Sequence, residues 1–222
     1  MTEENVAGYY DFVRKEIEPL LPPWSARVLE VGCGNGGTLA WLRESGRAGW
    51  LAGVEMSSTA AEKARSRIDL LREGDVNRIC SEFAPASFDL ILCLDVLEHL
   101  VDPWTTLGRL QALLRPEGEL IVSLPNIRHH SVLLPLLLSG RWRYEPAGIM
   151  DQSHLRFFSR QTALTMVRDA GFEIRQLHCT YVGRDALKDR LSCGLLRDFF
   201  AFQYLISARK QQAPYCFLKD AA

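Results

Sequence analysis

No run of apolar residues in this chain is long enough to cross a bilayer: Val132–Leu138, the longest, falls far short of the ~20 residues a spanning helix needs. Charge of one sign is also lacking. Against 27 Asp and Glu stand 26 Lys and Arg, so no general field draws the chain to nucleic acid, and none is expected as a partner. The six cysteines, at 33, 80, 93, 179, 193 and 216, form no Cys-x-x-Cys pair and read as reduced structural thiols. Met1-Thr2-Glu3-Glu4-Asn5 has neither the basic start nor the apolar centre of a signal peptide, and a cytoplasmic location is the expectation. Internal repeats and low-complexity tracts are absent. What is left, 222 residues at 47% hydrophobic and 24% charged, is the composition of one α/β domain with a sizeable core.

The stretch that organises this domain is Val28-Leu29-Glu30-Val31-Gly32-Cys33-Gly34-Asn35-Gly36-Gly37-Thr38-Leu39. It reads as strand, tight turn and helix. Glycines there permit positive φ and clear side chains from where a ligand must lie against the main chain, as nucleotide cofactors do at the first βα turn of doubly wound sheets. A second strand, Trp50–Glu55, ends in an acid about 20 residues past the turn, where such folds place the carboxylate that takes ribose hydroxyls.

Around this centre, strand and helix alternate. A helix over 8–21, with Tyr9, Tyr10 or Arg14 placed to close over the turn, leads in. Ser57-Ser58 cap a helix carrying Ala60, Ala61, Ala64 and Ile68. A short strand near Ile68–Leu71 runs into Glu73-Gly74-Asp75-Val76, and Phe88–Leu94 reads as a central strand buried on both faces. A helix over 104–114, a turn at 115–118 and a strand over 119–125 follow. Five alternations call for a parallel sheet with right-handed crossovers. The pattern breaks at 126–159, a long segment rich in aromatic and basic residues and well placed to cover a substrate. A helix over 161–170, a strand over 172–178, a linker around 185–198, a strand over 200–210 and a loose tail complete the chain.

Three ionisable groups crowd the end of the central strand: Asp95, Glu98 and His99. Such a cluster is costly unless solvent, a cofactor or a metal satisfies it. His129, His130 and His154 in the insertion join His99 as groups able to titrate near neutral pH.

In order and spacing, Val-Leu-Glu-Val-Gly-Cys-Gly-Asn-Gly (28–36), Gly-Val-Glu (53–55), Gly-Asp-Val (74–76), Ser-Phe-Asp-Leu-Ile (87–91), Asp-Val-Leu-Glu-His-Leu (95–100) and Leu-Leu-Arg-Pro-Glu-Gly (113–118) resemble the class I S-adenosylmethionine-dependent methyltransferases. The resemblance runs over about 28–210. It implies a Rossmann-like, mostly parallel seven-stranded sheet in order 3-2-1-4-5-7-6, the last strand antiparallel, with the insertion as a cap after the fifth strand. The chain then divides into an N-terminal helix (1–26), a cofactor core (27–125), the cover (126–159), the last helix and strands (160–210) and a tail (211–222).

Carried over by position, the resemblance has Glu30 and the loop Gly32, Cys33, Gly34, Asn35 and Gly36 meet the methionine part of S-adenosylmethionine. Glu55 and Met56 would serve the ribose side, Asp75 and Val76 the adenine, and Asp95 and Val96 the sulfonium end. Gly32, Gly34 and Gly37 also satisfy dinucleotide spacing, which leaves an NAD-dependent oxidoreductase, or a non-catalytic cofactor-binding scaffold, as alternatives. A second likeness, to ubiquinone-pathway O-methyltransferases and small-RNA 3′-end methyltransferases, rests on Asp95-x-x-Glu98-His99 with His154. There an acid, a Glu-His pair and a later histidine hold a divalent cation against substrate hydroxyls, which makes Asp95, Glu98, His99 and His154 candidate metal ligands.

Methyl transfer from a sulfonium is an in-line displacement, so the protein must align the acceptor, exclude water and see a hydroxyl deprotonated. His99, His154 and Glu98 are the expected catalytic groups. The acceptor expected is a small molecule, a phenol, a sugar or a lipid-linked glycan, which Arg141, Trp142, Arg143, Tyr144 and Arg156 suit. Contact with a membrane surface or partner through Leu133–Leu138 is the competing use of the insertion.

Overall fold

A computed structural model of the chain describes residues 12–211. The strands are β1 (Ser25–Val31), β2 (Ala48–Glu55), β3 (Leu70–Glu73), β4 (Phe88–Leu94), β5 (Leu114–Pro125), β6 (Phe172–Thr180) and β7 (Gln203–Lys210). They form one sheet in order β3-β2-β1-β4-β5-β7-β6. β7 runs antiparallel to both of its neighbours and all other pairs are parallel. The expected sheet is therefore the one found.

Between the strands lie α1 (Gly37–Glu44), α2 (Ser58–Ala64), α3 (Val76–Ile79), α4 (Pro103–Leu113), α5 (His130–Ser139), α6 (Arg160–Asp169), α7 (Asp185–Leu191) and α8 (Arg197–Phe200). Each face of the sheet carries its own core. Leu90, Leu92 and Leu94 of β4 pack on one side with Leu39 and Leu42 of α1, while Ile91 and Cys93 pack on the other with Leu107 and Leu110 of α4. That two-sided burial is why β4 lacks the alternation of a half-exposed strand. Each fully buried Leu or Ile contributes about 1.5–3 kcal/mol.

Several boundaries differ from the expectation. Within the described residues the first helix is a 3₁₀ helix, Lys15–Leu20, with Pro19 inside it; proline has no N–H to extend an α-helical ladder. Tyr9, Tyr10, Cys216 and nearly all of the tail lie outside the described residues. Ile68 falls past the end of α2, and β3 begins two residues later than Ile68. The turn at 115–118 is a bulge within β5, where Phe88 pairs Leu114 but Leu90 pairs Glu119. The region around 185–198 is no open linker: it contains α7 and the start of α8, and the last strand begins only at Gln203.

Candidate cofactor and acceptor site

The carboxyl ends of β1, β2, β4 and β5 share one rim because these strands are parallel, and the glycine turn sits at its centre. Gly32, Gly34 and Gly36 have φ of 70°, 53° and 77°, a region where side chains are costly. A Cβ on Gly32 would lie 3.1 Å from Cγ2 of Val96. Behind the turn, a Cβ on Gly53 would fall 2.4 Å from Sγ of Cys33, so β2 and the turn meet with no room between them. Cys33 thus points into the core and offers the rim only its backbone. Asn35 is buried and braces the turn, its Oδ1 accepting from the Gly37 N–H at 3.0 Å.

Two carboxylates flank the turn. Glu55 accepts from the Gly34 N–H through Oε2 and from the Ser57 N–H through Oε1, each at 2.8 Å. Both oxygens keep a free lone pair for another donor. Glu30 is 3% exposed and its Oε2 has no hydrogen-bond partner. Burial, reinforced by Glu55 and opposed by Arg14, pushes its carboxyl up to about 8.

Met56 stands 77% exposed beside Glu55. Asp75 is exposed and caps α3, accepting from the Asn77 N–H at 2.8 Å, with Val76 buried behind it. The turn-capping use of Asp75 is thus present, and one of its oxygens is engaged with its own helix.

Asp95 adopts φ 53°, a strained conformation for a residue with a side chain. Its carboxylate is held by Arg14 at 2.5 Å, by the Ser123 hydroxyl at 2.7 Å and by the Gln203 amide. Arg14 is buried and also bonds Glu16, Ser123 and Gln203. Burial disfavours its charge, yet Asp95 and Glu16 together raise its pKa above the ordinary value. Arg14 is one of the three residues expected to close over the turn. Ser123 and Gln203 carry no sequence signal, because they come from β5 and β7 and only the sheet order brings them to Asp95.

Beyond Asp95, the 3₁₀ turn Leu97–His99 presents Glu98 and His99. The insertion folds back onto it: the N–H groups of Leu155 and Arg156 donate to the Glu98 carbonyl at 2.8 and 3.0 Å. This brings His154 to the rim. Nδ1 of His154 lies 3.0 Å from the Ile149 carbonyl and Nδ1 of His99 3.3 Å from that of Ser153. A carbonyl only accepts, so both Nδ1 atoms carry a proton, and in the neutral imidazoles the Nε2 atoms hold the lone pairs. Nε2 of His154 is 4.0 Å from Oε1 of Glu98, and the two imidazoles stand edge to face at 4.8 Å.

The Glu98 side chain is 1% exposed with neither oxygen hydrogen-bonded. Burial, then the nearby Asp95, holds its carboxyl well above the usual range. Burial and His154 lower His99. One ligand atom each from Glu98, His99 and His154 lie within 4.8 Å of one another. Asp95 is not in that group; its oxygens are taken by Arg14, Ser123 and Gln203.

His129 and His130 go elsewhere. Their Nε2 atoms lie 3.3 and 3.0 Å from Oδ2 of Asp185 on α7, away from Glu98. Trp142 and Tyr144 pack on Phe157, whose ring lies 6.3 Å from His154. Arg156 donates to the Val101 carbonyl and lies over Trp104, while Arg143 pairs with Glu145 in solvent.

Compared with known proteins, residues 6–177 match the family described as a methyltransferase domain. The chain belongs to this family. Among similar methyltransferases is the ubiquinone biosynthesis O-methyltransferase of Neisseria meningitidis serogroup C (strain 053442), 29% identical over 156 residues. That alignment covers 67% of this chain and 64% of the relative, just under two thirds of its length. A protein of the same name from Thiobacillus denitrificans is 30% identical over 178 residues, covering 73% of this chain and 74% of its own.

Solved structures share the fold. An S-adenosylmethionine-dependent methyltransferase from Mesorhizobium loti superposes with a TM-score of 0.65 at 18% identity, over 90% of this chain and 100% of that one. One from Archaeoglobus fulgidus gives 0.64 at 16%, over 93% and 94%.

The rim carries groups that fit S-adenosylmethionine, after which the fold neighbours are named. Glu30 offers a buried Oε2 without a partner to an ammonium, and Glu55 two free lone pairs to a diol, with the exposed Met56 side chain beside it.

Proposed function

We propose that this methyltransferase acts on a small-molecule acceptor, methylating a hydroxyl oxygen held between the rim at 95–99 and the insertion at 126–159. The observation that carries the reading is the pair of Nε2 lone pairs, from His99 and His154, beside the unpartnered carboxylate of Glu98. A hydroxyl attacks well only once its proton is gone, whereas a neutral amine already carries the lone pair it attacks with. The relatives named as ubiquinone biosynthesis O-methyltransferases support the same class of acceptor atom.

In this reading S-adenosylmethionine supplies an electrophilic methyl group on a sulfonium. Glu30 and the backbone of Gly32–Gly36 hold the methionine end, Glu55 and Met56 the ribose side, and Val76 with Asp75 the base. Asp95 and Val96 border the reacting centre, where the grip of Arg14, Ser123 and Gln203 keeps Asp95 from turning toward the acceptor.

The acceptor side also suits a divalent cation. Glu98, His99 and His154 would hold it, with their Nδ1–H groups already fixed by carbonyls as the imidazoles of metal sites commonly are. The cation would lower the pKa of a bound hydroxyl. It would also neutralise a carboxylate whose burial alone is costly.

The test has two arms. S-adenosylhomocysteine must raise the melting temperature, since a ligand bound by the folded state stabilises it; stabilisation by NAD instead would overturn the reading. Labelled-donor transfer into fractionated cell extract, with and without excess chelator, then separates cation assistance from a histidine base. Turnover that survives chelation but is lost in His154→Asn assigns the proton to His154.

A further inference from the structure

A helix apolar on every side normally lies inside a core or a membrane. α5, with the sequence His-Ser-Val-Leu-Leu-Pro-Leu-Leu-Leu-Ser, does neither: Val132 alone of its ten residues is buried, while Leu137 and Leu138 are 75% and 82% exposed. α7 is inside out. It buries Asp185 and Asp189 and exposes Leu187 and Leu191, at 55% and 75%. Leu195, just after it, is 88% exposed.

The inversion has a physical cause. Asp185 is the acceptor for His129, His130 and Lys188, the last at 2.8 Å. Burial works against its charge, but these three hydrogen bonds prevail and hold it below the usual carboxylate range. Asp189 takes the Tyr181 hydroxyl at 2.7 Å. With both acids drawn inward, the leucines of α7 have only solvent to face. The same contacts pin α7 against the start of α5, and Phe199 and Phe200 lie 5.6 and 5.9 Å from the His130 ring. The exposed leucines of the two helices therefore belong to one joined unit.

Charge on this unit is one-sided. In the stretches 133–145 and 182–197, Lys188, Arg197 and Arg143 pair with Asp185, Asp189 and Glu145, which leaves the exposed Arg141, Arg184 and Arg190 with no acid of these stretches to balance them. The chain as a whole is at −1, so the excess is local. Aliphatic side chains ringed by cations suit the boundary between acyl chains and anionic headgroups. They do not suit a symmetric pairing of this chain with itself, which would set cations against the same cations.

We propose that the face formed by α5, α7 and the loop to α8 docks on an anionic lipid bilayer, its leucines entering the interface and its unpaired arginines meeting lipid phosphate. The docking is separate from methyl transfer and does not depend on which atom is methylated.

Flotation of the full chain with extruded vesicles tests it, using phosphatidylcholine alone and phosphatidylcholine with one part in three phosphatidylglycerol. Binding is expected to the anionic vesicles, weakening as salt is raised. Leu137→Asp with Leu138→Asp, Leu191→Asp, and Arg184→Glu with Arg190→Glu should each cut the bound fraction about tenfold or more. All five side chains are exposed, and the S-adenosylhomocysteine melting shift of each variant checks its fold. The proposal is overturned if the anionic vesicles do not float the protein, or if the variants bind like the parent. It is equally overturned if light scattering finds a dimer that Leu137→Asp with Leu138→Asp turns into a monomer, because the face then belongs to a second copy.

Discussion

Arg14 reaches across 81 residues of sequence to place its Nη1 2.5 Å from Oδ2 of Asp95. The contact ties the segment before β1 to the end of β4, and Asp95 keeps a left-handed backbone while it is held. Replacing Arg14 by Ala removes bonds to Asp95, Ser123 and Gln203 at once. Each charged hydrogen bond of this kind is worth about 1.5–3 kcal/mol, with strong overlap among neighbours. We expect Arg14→Ala to lower stability by about 2 kcal/mol, read by urea unfolding, and to weaken S-adenosylhomocysteine binding.

Glu55 ties the glycine turn to the start of α2 through Gly34 and Ser57. Glu55→Ala should weaken S-adenosylhomocysteine binding by about 1.5–3 kcal/mol in calorimetry if the carboxylate also takes both ribose hydroxyls. Unchanged affinity would remove Glu55 from the ribose site.

Glu30 makes the ligand-free protein sensitive to pH. Its carboxyl is raised to about 8, above the ordinary 4.5, so the folded state holds a proton that the unfolded state has released. Stability must then fall as pH rises between those values. Glu30→Gln should flatten that fall and gain about 2–3 kcal/mol near neutral pH relative to the parent. A cofactor ammonium favours the ionised carboxylate, so S-adenosylhomocysteine binding should tighten from pH 6 to 8 as the proton is lost, roughly in step with linkage. Equal affinity across that range would mean that Glu30 does not meet the ammonium.

His99 and His154 are expected to matter for turnover rather than for donor binding. Changing either to Asn should cut methyl transfer by about 10²–10⁴-fold, the usual contribution of a group handling the proton. The melting shift with S-adenosylhomocysteine should persist. His130→Asn disturbs Asp185 instead, so stability should drop without that loss of transfer.

Gly53 is the tightest point behind the site. Gly53→Ala puts a methyl 2.4 Å from the Cys33 sulfur, and such overpacking costs about 1–3 kcal/mol. Cys33→Ala should restore much of the loss in the double variant, read as coupling in a thermal-unfolding cycle.

Much of this was legible along the chain. Local rules find β4 because a strand covered on both faces must be apolar throughout, and they find the glycine turn because the backbone there needs residues free to take positive φ. Glu30, Glu55 and Asp75 fall into place because each ends or adjoins a strand of one parallel sheet. The helix α7 was hidden for the opposite reason. Its pattern is inverted, with acids inward and leucines outward, so hydrophobic spacing reads a linker where tertiary hydrogen bonds to Asp185 and Asp189 make a helix worthwhile.

Short-range spacing and backbone preference were enough for the alternation of strands and helices, the glycine turn at the carboxyl rim of the sheet and the family. Long-range packing set which histidine stands with Glu98, that Asp95 is held by Arg14, Ser123 and Gln203 instead of joining that group, and which leucines are left outside. Those are contacts between segments far apart in the chain, and burial, rather than local pattern, sets which oxygen keeps a partner and which is left without one.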